Sequence, residues 1–137
     1  MAAPSLAARL GLHAHRAPNR AGAINAAVAT AAGDTIVSLT VPWLVNVRTV
    51  GSCLDALENA KEPSVVVPAL EMRTADALTR QRLRSQPDLV SLLANPFATP
   101  PVFVMRRSTW QMLGCLDENL GDLAWCEWWF RLLASRE

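Results

Sequence analysis

The chain has 137 residues, of which 51% are hydrophobic and 6% aromatic, and a formal net charge of +1. That length sets a single domain over 1–137 with a real core and leaves little room for a complete two-substrate enzyme. Near-neutral charge gives no electrostatic case for nucleic acid, and no window is apolar for the length of a membrane span, so a globular domain with neither partner is expected.

Residues 1–33 hold Arg9, Arg16 and Arg20 and no acid, a bias shared with organelle transit peptides. The stretch runs unbroken into patterned sequence and is read as a first βα unit. Leu12-His13-Ala14-His15-Arg16 alternates as a strand does. Pro18-Asn19 makes a turn, and Asn19 is the expected N-cap of a helix over 20–32, where Ile24 and Val28 share an otherwise alanine face and Gly33 ends the run. Residues 35–40 form the next strand. Residues 12–40 thus read as strand, helix, strand, a right-handed crossover with parallel strands. Residues 43–59 place Leu44, Val47, Val50, Leu54 and Leu57 at helical spacing, and Ser64-Val65-Val66-Val67 is a buried strand. From Glu71 to Pro101 the sequence is polar, Arg-rich and broken by Pro87, Pro96 and Pro100, which predicts a mobile connection with one short helix near 74–84. A strand over 102–105, a short helix over 108–113 and an aromatic-faced helix over 123–135 complete an α/β pattern.

Cys53, Cys115 and Cys126 are odd in number and lack C-x-x-C spacing, which argues against a disulfide framework and a zinc site and fits a reducing cytoplasm. His13-x-His15 puts two imidazoles on one strand face without a third ligand, the pattern of an exposed strand face. Arg73, Arg80, Arg82 and Arg84 read as the solvated face of the mobile segment. Core packing accounts for Trp129 and Phe130, while Trp128 is left to stack on a ligand, and Asp122 is placed to cap the last helix.

Two segments resemble family 2 glycosyltransferases. In NAAVATAAGDTIVSLTV, Asn25 is followed eight residues later by Gly33-Asp34 and a strand, as in that family's run toward a terminal Asp-x-Asp. In FVMRRSTWQMLGCLDENLGDLAWCEWWFRLL, Gly114, Asp117, Glu118 and Arg131 fall on the family's acceptor-side pattern. The resemblance implies a partial GT-A-like, Rossmann-related mixed sheet flanked by helices. It also implies descent from enzymes that move a sugar from a nucleotide-sugar donor to an acceptor hydroxyl, with Asn25, Asp117, Glu118 and Trp128 near substrate. The family holds Mg²⁺ or Mn²⁺ on Asp-x-Asp, but this chain has Thr40-Val41-Pro42 there, so no metal or other cofactor is expected. Of the family's acidic cluster, which supplies a general base, Trp125 occupies the first position and Glu127 the second, making Glu127 the remaining candidate base.

The family's two opening βα units have no counterpart before Leu12. Strands 12–16 and 35–40 are therefore expected to keep open edges, with Ile36, Leu39, Val65 and Val67 poorly covered, and the chain to self-associate or take a partner chain. The expected function is a glycosyltransferase-like domain, inactive as this chain alone, whose ligand is a nucleotide sugar or glycan acceptor. The alternative is a non-catalytic α/β binding or scaffold module that associates with a partner protein.

Overall fold

Asn19 starts the first helix: its side-chain oxygen accepts from the Gly22 amide at 2.9 Å, and α1 runs Arg20–Thr30. A computed structural model describes residues 17–40, 45–73, 80–83, 88–97 and 99–136. The strand expected at 12–16 with His13 and His15, the tip residues Val41 and Pro42, and Arg84 lie outside the described residues. Strand β1 covers Thr35–Leu39, and α2 covers Val47–Glu58, begun by the Asn46 side chain accepting from the Thr49 amide at 2.7 Å. A two-residue strand, β2 (Val65–Val66), follows.

The segment expected as a mobile connection carries regular structure. Strands β3 (Leu70–Arg73) and β4 (Arg80–Leu83) pair antiparallel from Leu70↔Leu83 to Arg73↔Arg80, so the helix expected near 74–84 gives way to a strand over 80–83. Helix α3 (Leu89–Ala94) opens on a reciprocal capping box, with Asp88 accepting from the Ser91 amide at 2.7 Å and Ser91 Oγ accepting from the Asp88 amide at 3.0 Å. Pro96 follows the helix, so this proline marks a helix end rather than a structureless run.

Strand β5 (Val102–Arg106) is the centre of a three-stranded sheet ordered β1-β5-β2. It pairs antiparallel with β1 from Thr35↔Arg106 to Leu39↔Val102, and antiparallel with β2 at Val65↔Met105 and Val66↔Val104. Strands β1 and β2 therefore run parallel to each other, joined through α2, without pairing. Each described ladder is antiparallel; the parallel pair behind the expected mixed sheet needs residues 12–16. Helix α4 (Arg107–Leu113) leaves β5 directly, and a 3₁₀ segment (Glu118–Leu123) leads into α5 (Ala124–Ala134). The result is a mixed α/β fold in which, among the described residues, no helix is long and apolar enough to cross a membrane.

Central position explains why Val102, Phe103, Val104 and Met105 are all buried: helices cover both faces of β5. On one face, Phe103 and Met105 join Val28, Trp110, Trp128, Trp129 and Leu132 in the main core. On the other, Val104 packs with Cys53 and Leu57 of α2 and with Val66. Ile36, Val65 and Val67, expected to be poorly covered, pack against the main core instead. Val37 and Leu39 do remain exposed, at 44% and 49%, because α2 covers the β5–β2 side of that face and stops short of β1.

Two arginines at the end of β5 tie the layers together. Arg107 donates to the carbonyls of Val28, Ala31 and Gly33 at 2.9, 2.6 and 2.8 Å, satisfying the C-terminal end of α1. Arg106 donates to Ala60 O at 3.2 Å, to Leu57 O and to Glu62 Oε1 at 2.8 Å, and the Glu62 carboxylate also accepts from fully buried Thr109. Burial alone would raise the Glu62 carboxyl, but hydrogen bonds from Thr109, Arg106 and Ser108 and the Arg106 charge hold it below the usual range. A depressed folded value means that the stability this carboxylate contributes is complete above the unfolded value of about 4.3 and is lost as pH falls through the folded one. The difference in denaturation midpoint between wild type and Glu62→Gln should therefore be constant from about pH 7 to 5 and shrink below about pH 4. A difference that grows on acidification would show the sign to be wrong.

Candidate functional site

Asn25, on α1, clips the loop after α4 from 91 residues away: its Nδ2 donates to Leu116 O and its Oδ1 accepts from Leu116 N, both at 2.9 Å. The same Nδ2 donates to Glu118 Oε1 at 3.1 Å, and Asn19 Nδ2 donates to Glu118 O at 2.8 Å. Glu118 lies so close over α1 that a Cβ at Gly22 would come within 3.1 Å of its Oε2, which makes Gly22 a close-approach glycine.

A second tie holds the turn at Gly114, whose φ of +84° favours glycine. Arg131 of α5 donates to Leu113 O at 2.5 Å and to Cys115 O at 2.8 Å, and pairs with Glu127 one helical turn earlier at 2.7 Å. Trp128 Nε1 donates to Gly114 O at 3.0 Å.

These ties leave a cavity of about 440 Å³ beyond the C-terminal end of β1. Arg20, Thr40, Phe97, Pro100, Asp122 and Trp125 are among its lining residues. The Thr40 amide donates to Pro101 O at 2.8 Å, and Thr40 Oγ1 accepts from Arg20 Nη2 at 3.3 Å. A second, more apolar cavity of about 380 Å³ lies between α1 and β1, lined by Val28, Ile36, Trp110 and Trp125 among others. Trp125 is a wall of both. Its ring is held edge-on to Phe103 at 4.9 Å and to Trp128 at 5.6 Å, and it also contacts Trp110 at 6.3 Å.

None of the five residues expected near substrate lines either cavity. Asn25 and Glu118 form the clip, and Asp117 accepts from the Asn119 amide at 2.9 Å to start the 3₁₀ segment. Glu127 is partly exposed and ion-paired with Arg131. Trp128, expected to face a ligand, is completely buried, and its polar edge is taken by Gly114 O; among the described residues it is Trp125 that lines the cavity beyond β1. Asp122 does not cap the last helix either. The N-cap of α5 is Leu123, which makes no side-chain cap bond, and the Gly121 turn at φ +54° delivers Asp122 to the cavity. Arg20 and Thr40 were legible as the helix start and strand end, but nothing local in the sequence marked them as neighbours.

Mg²⁺ and Mn²⁺ need carboxylate or other oxygen ligands; of the strand tip only Thr40 is among the described residues, and its hydroxyl is already bonded to a guanidinium. Among the described residues no group of three or more His, Cys, Asp or Glu could hold a metal ion. The three cysteines are free; burial pushes the thiols of Cys53 and Cys126 up, with the Glu127 charge adding to the effect at Cys126. Compared with known proteins, the chain matches no protein-family model, no curated protein and no solved structure.

Proposed function

We propose that the chain is a glycosyltransferase-like domain that holds a sugar in the cleft beyond β1 and does not by itself transfer it. One observation carries this reading: the two segments that resemble family 2 glycosyltransferases, far apart in sequence, contribute Thr40 from one and Phe103, Asp122 and Trp125 from the other to the same cavity. A pyranose offers an apolar face of C–H groups and a rim of hydroxyls. The Trp125 indole supports the first, and the Asp122 carboxylate, without a hydrogen-bond or ion-pair partner among the described residues, accepts from the second. The chemistry of transfer lacks its parts: the strand tip carries no carboxylates, and Glu127 is engaged by Arg131 outside the cavity.

Tryptophan fluorescence titrated with neutral oligosaccharides and nucleotide sugars tests the reading. A saturable change is expected, weakened about tenfold by Asp122→Asn and abolished by Trp125→Ala, with Trp125→Phe retaining part of it. If no sugar of either kind changes the signal or the amide spectrum, the reading fails. A second reading, a scaffold that takes a partner protein, is favoured by the apolar groove beside β1, whose outer edge has no ladder partner among the described residues. Mass that rises with concentration in light scattering, with no response to sugars, would select it.

A further inference from the structure

We infer that the outer edge of β1 is where two copies of this chain pair, antiparallel and two-fold about Val37, so that their sheets join into one. The inference rests on the second reading, that the groove beside β1 takes a protein, and names that protein as a second copy. It does not rest on sugar binding.

Hydrogen-bond phase is the first argument. The Thr40 amide donates to Pro101 O at 2.8 Å and the Arg107 amide donates to Asp34 O at 2.7 Å, and both pairs continue the β1–β5 register. Hydrogen-bonded pairs alternate along an antiparallel ladder, so Asp34, Ile36, Ser38 and Thr40 turn their N–H and C=O toward β5, while Thr35, Val37 and Leu39 turn theirs outward. Those outward groups have no backbone partner among the described residues. Edges that stay single are usually blunted by lysine, proline or a bulge. The run Thr-Ile-Val-Ser-Leu has none of these, and its ladder is unbroken from Thr35 to Leu39.

Self-complementarity is the second. Turned about a two-fold axis, Val37 meets the partner's Val37 and Thr35 meets the partner's Leu39, for about six main-chain hydrogen bonds. On one face the pairing covers Val37 and Leu39, the large apolar side chains of β1 that α2 leaves exposed. On the other, the partner's Ile36 comes beside Ser38, over the apolar cavity that all five residues of β1 line. Charge agrees with this register. Asp34 falls opposite the partner's Thr40, in a closely spaced pair without main-chain bonds, and Thr40 Oγ1 carries the Arg20 guanidinium at 3.3 Å. Among the described residues neither Asp34 nor Arg20 has an ion-pair partner in its own chain. The two-fold register supplies each with the other, at both ends of the edge.

Sedimentation equilibrium of the full chain over a concentration series is the test, with circular dichroism to confirm that each variant is folded. Dimer should form at concentrations on the order of 100 µM, as suits a one-strand interface, and weaken as salt is raised. Val37→Lys sets like charges together at the axis from an exposed position, and should weaken dimerisation about tenfold or more. Asp34→Arg and Arg20→Glu should each weaken it about tenfold, by opposing like charges at both ends. Mixed together, those two variants should recover a mixed dimer, because each contact again joins opposite charges. The inference is overturned if wild type is still monomeric at about 1 mM, if the dimer ignores these substitutions, or if mixing recovers nothing. A dimer that ignores them keeps the protein-binding reading and moves it to another surface. A monomer that instead takes an extended peptide of unrelated sequence, with exchange protection at the Val37 amide, would overturn the second copy and keep that reading. A monomer that responds to sugars alone would sink both and leave the sugar reading standing.

Discussion

Replacing Trp128 with alanine should cost about 3–5 kcal/mol and leave little folded protein at ambient temperature. The ring is completely buried among Phe103, Trp110, Trp125 and Trp129, with centroids 6.4, 5.8, 5.6 and 6.0 Å away, so its removal opens a void bounded by rigid aromatic planes that cannot collapse inward. The Nε1 bond to Gly114 O is lost as well, loosening the turn that α5 holds through Arg131. Trp128→Phe keeps most of the packing and drops the bond, and should cost about half as much. Denaturant unfolding followed by circular dichroism measures both. A tryptophan exposed for ligand stacking would show the opposite result, with affinity lost and the unfolding midpoint held, and that outcome would return Trp128 to the site.

Asn25→Ala should destabilise the domain by about 2–3 kcal/mol, because it strands both the amide and the carbonyl of Leu116 at a part-buried position. Asn25→Asp should recover little. Its carboxylate still accepts from the Leu116 amide but faces Leu116 O and the Glu118 carboxylate where a donor is needed. Faster hydrogen exchange at Leu116 is the specific readout. Leu116 also lines the cleft, so any sugar affinity should weaken in step with stability rather than instead of it. A variant that melts like wild type but no longer binds would restore the direct substrate contact expected of this residue.

Local signals carried much of the fold. Asn19 as an N-cap, the helical spacing of residues 47–57 and the apolar run at 102–105 each act within a turn or a strand, and each element formed close to where it was expected. The pairing of β3 with β4 depends on cross-strand register, from Leu70↔Leu83 to Arg73↔Arg80, which composition does not show. The cleft was harder still. Trp125 and Trp128 lie one turn apart on α5, and only the arrival of Phe103 and Trp110 from other elements decides which ring is enclosed and which is left at the boundary. Asp122 carried a legitimate capping signal that the Gly121 turn overrode, and Arg20 met Thr40 only because α1 returns antiparallel to β1.

The placement of β5 between β1 and β2 has a consequence for how the chain is made. A ribosome delivers β1 and β2 well before Val102 emerges, yet neither strand hydrogen-bonds to the other and both wait for the same later partner. Until then Ile36, Val37, Val65 and Val66 are apolar strand residues without a sheet, the kind of nascent surface that aggregates or recruits holding chaperones. Translation is thus a period of vulnerability for this domain, and slow elongation between residues 66 and 102 would prolong it.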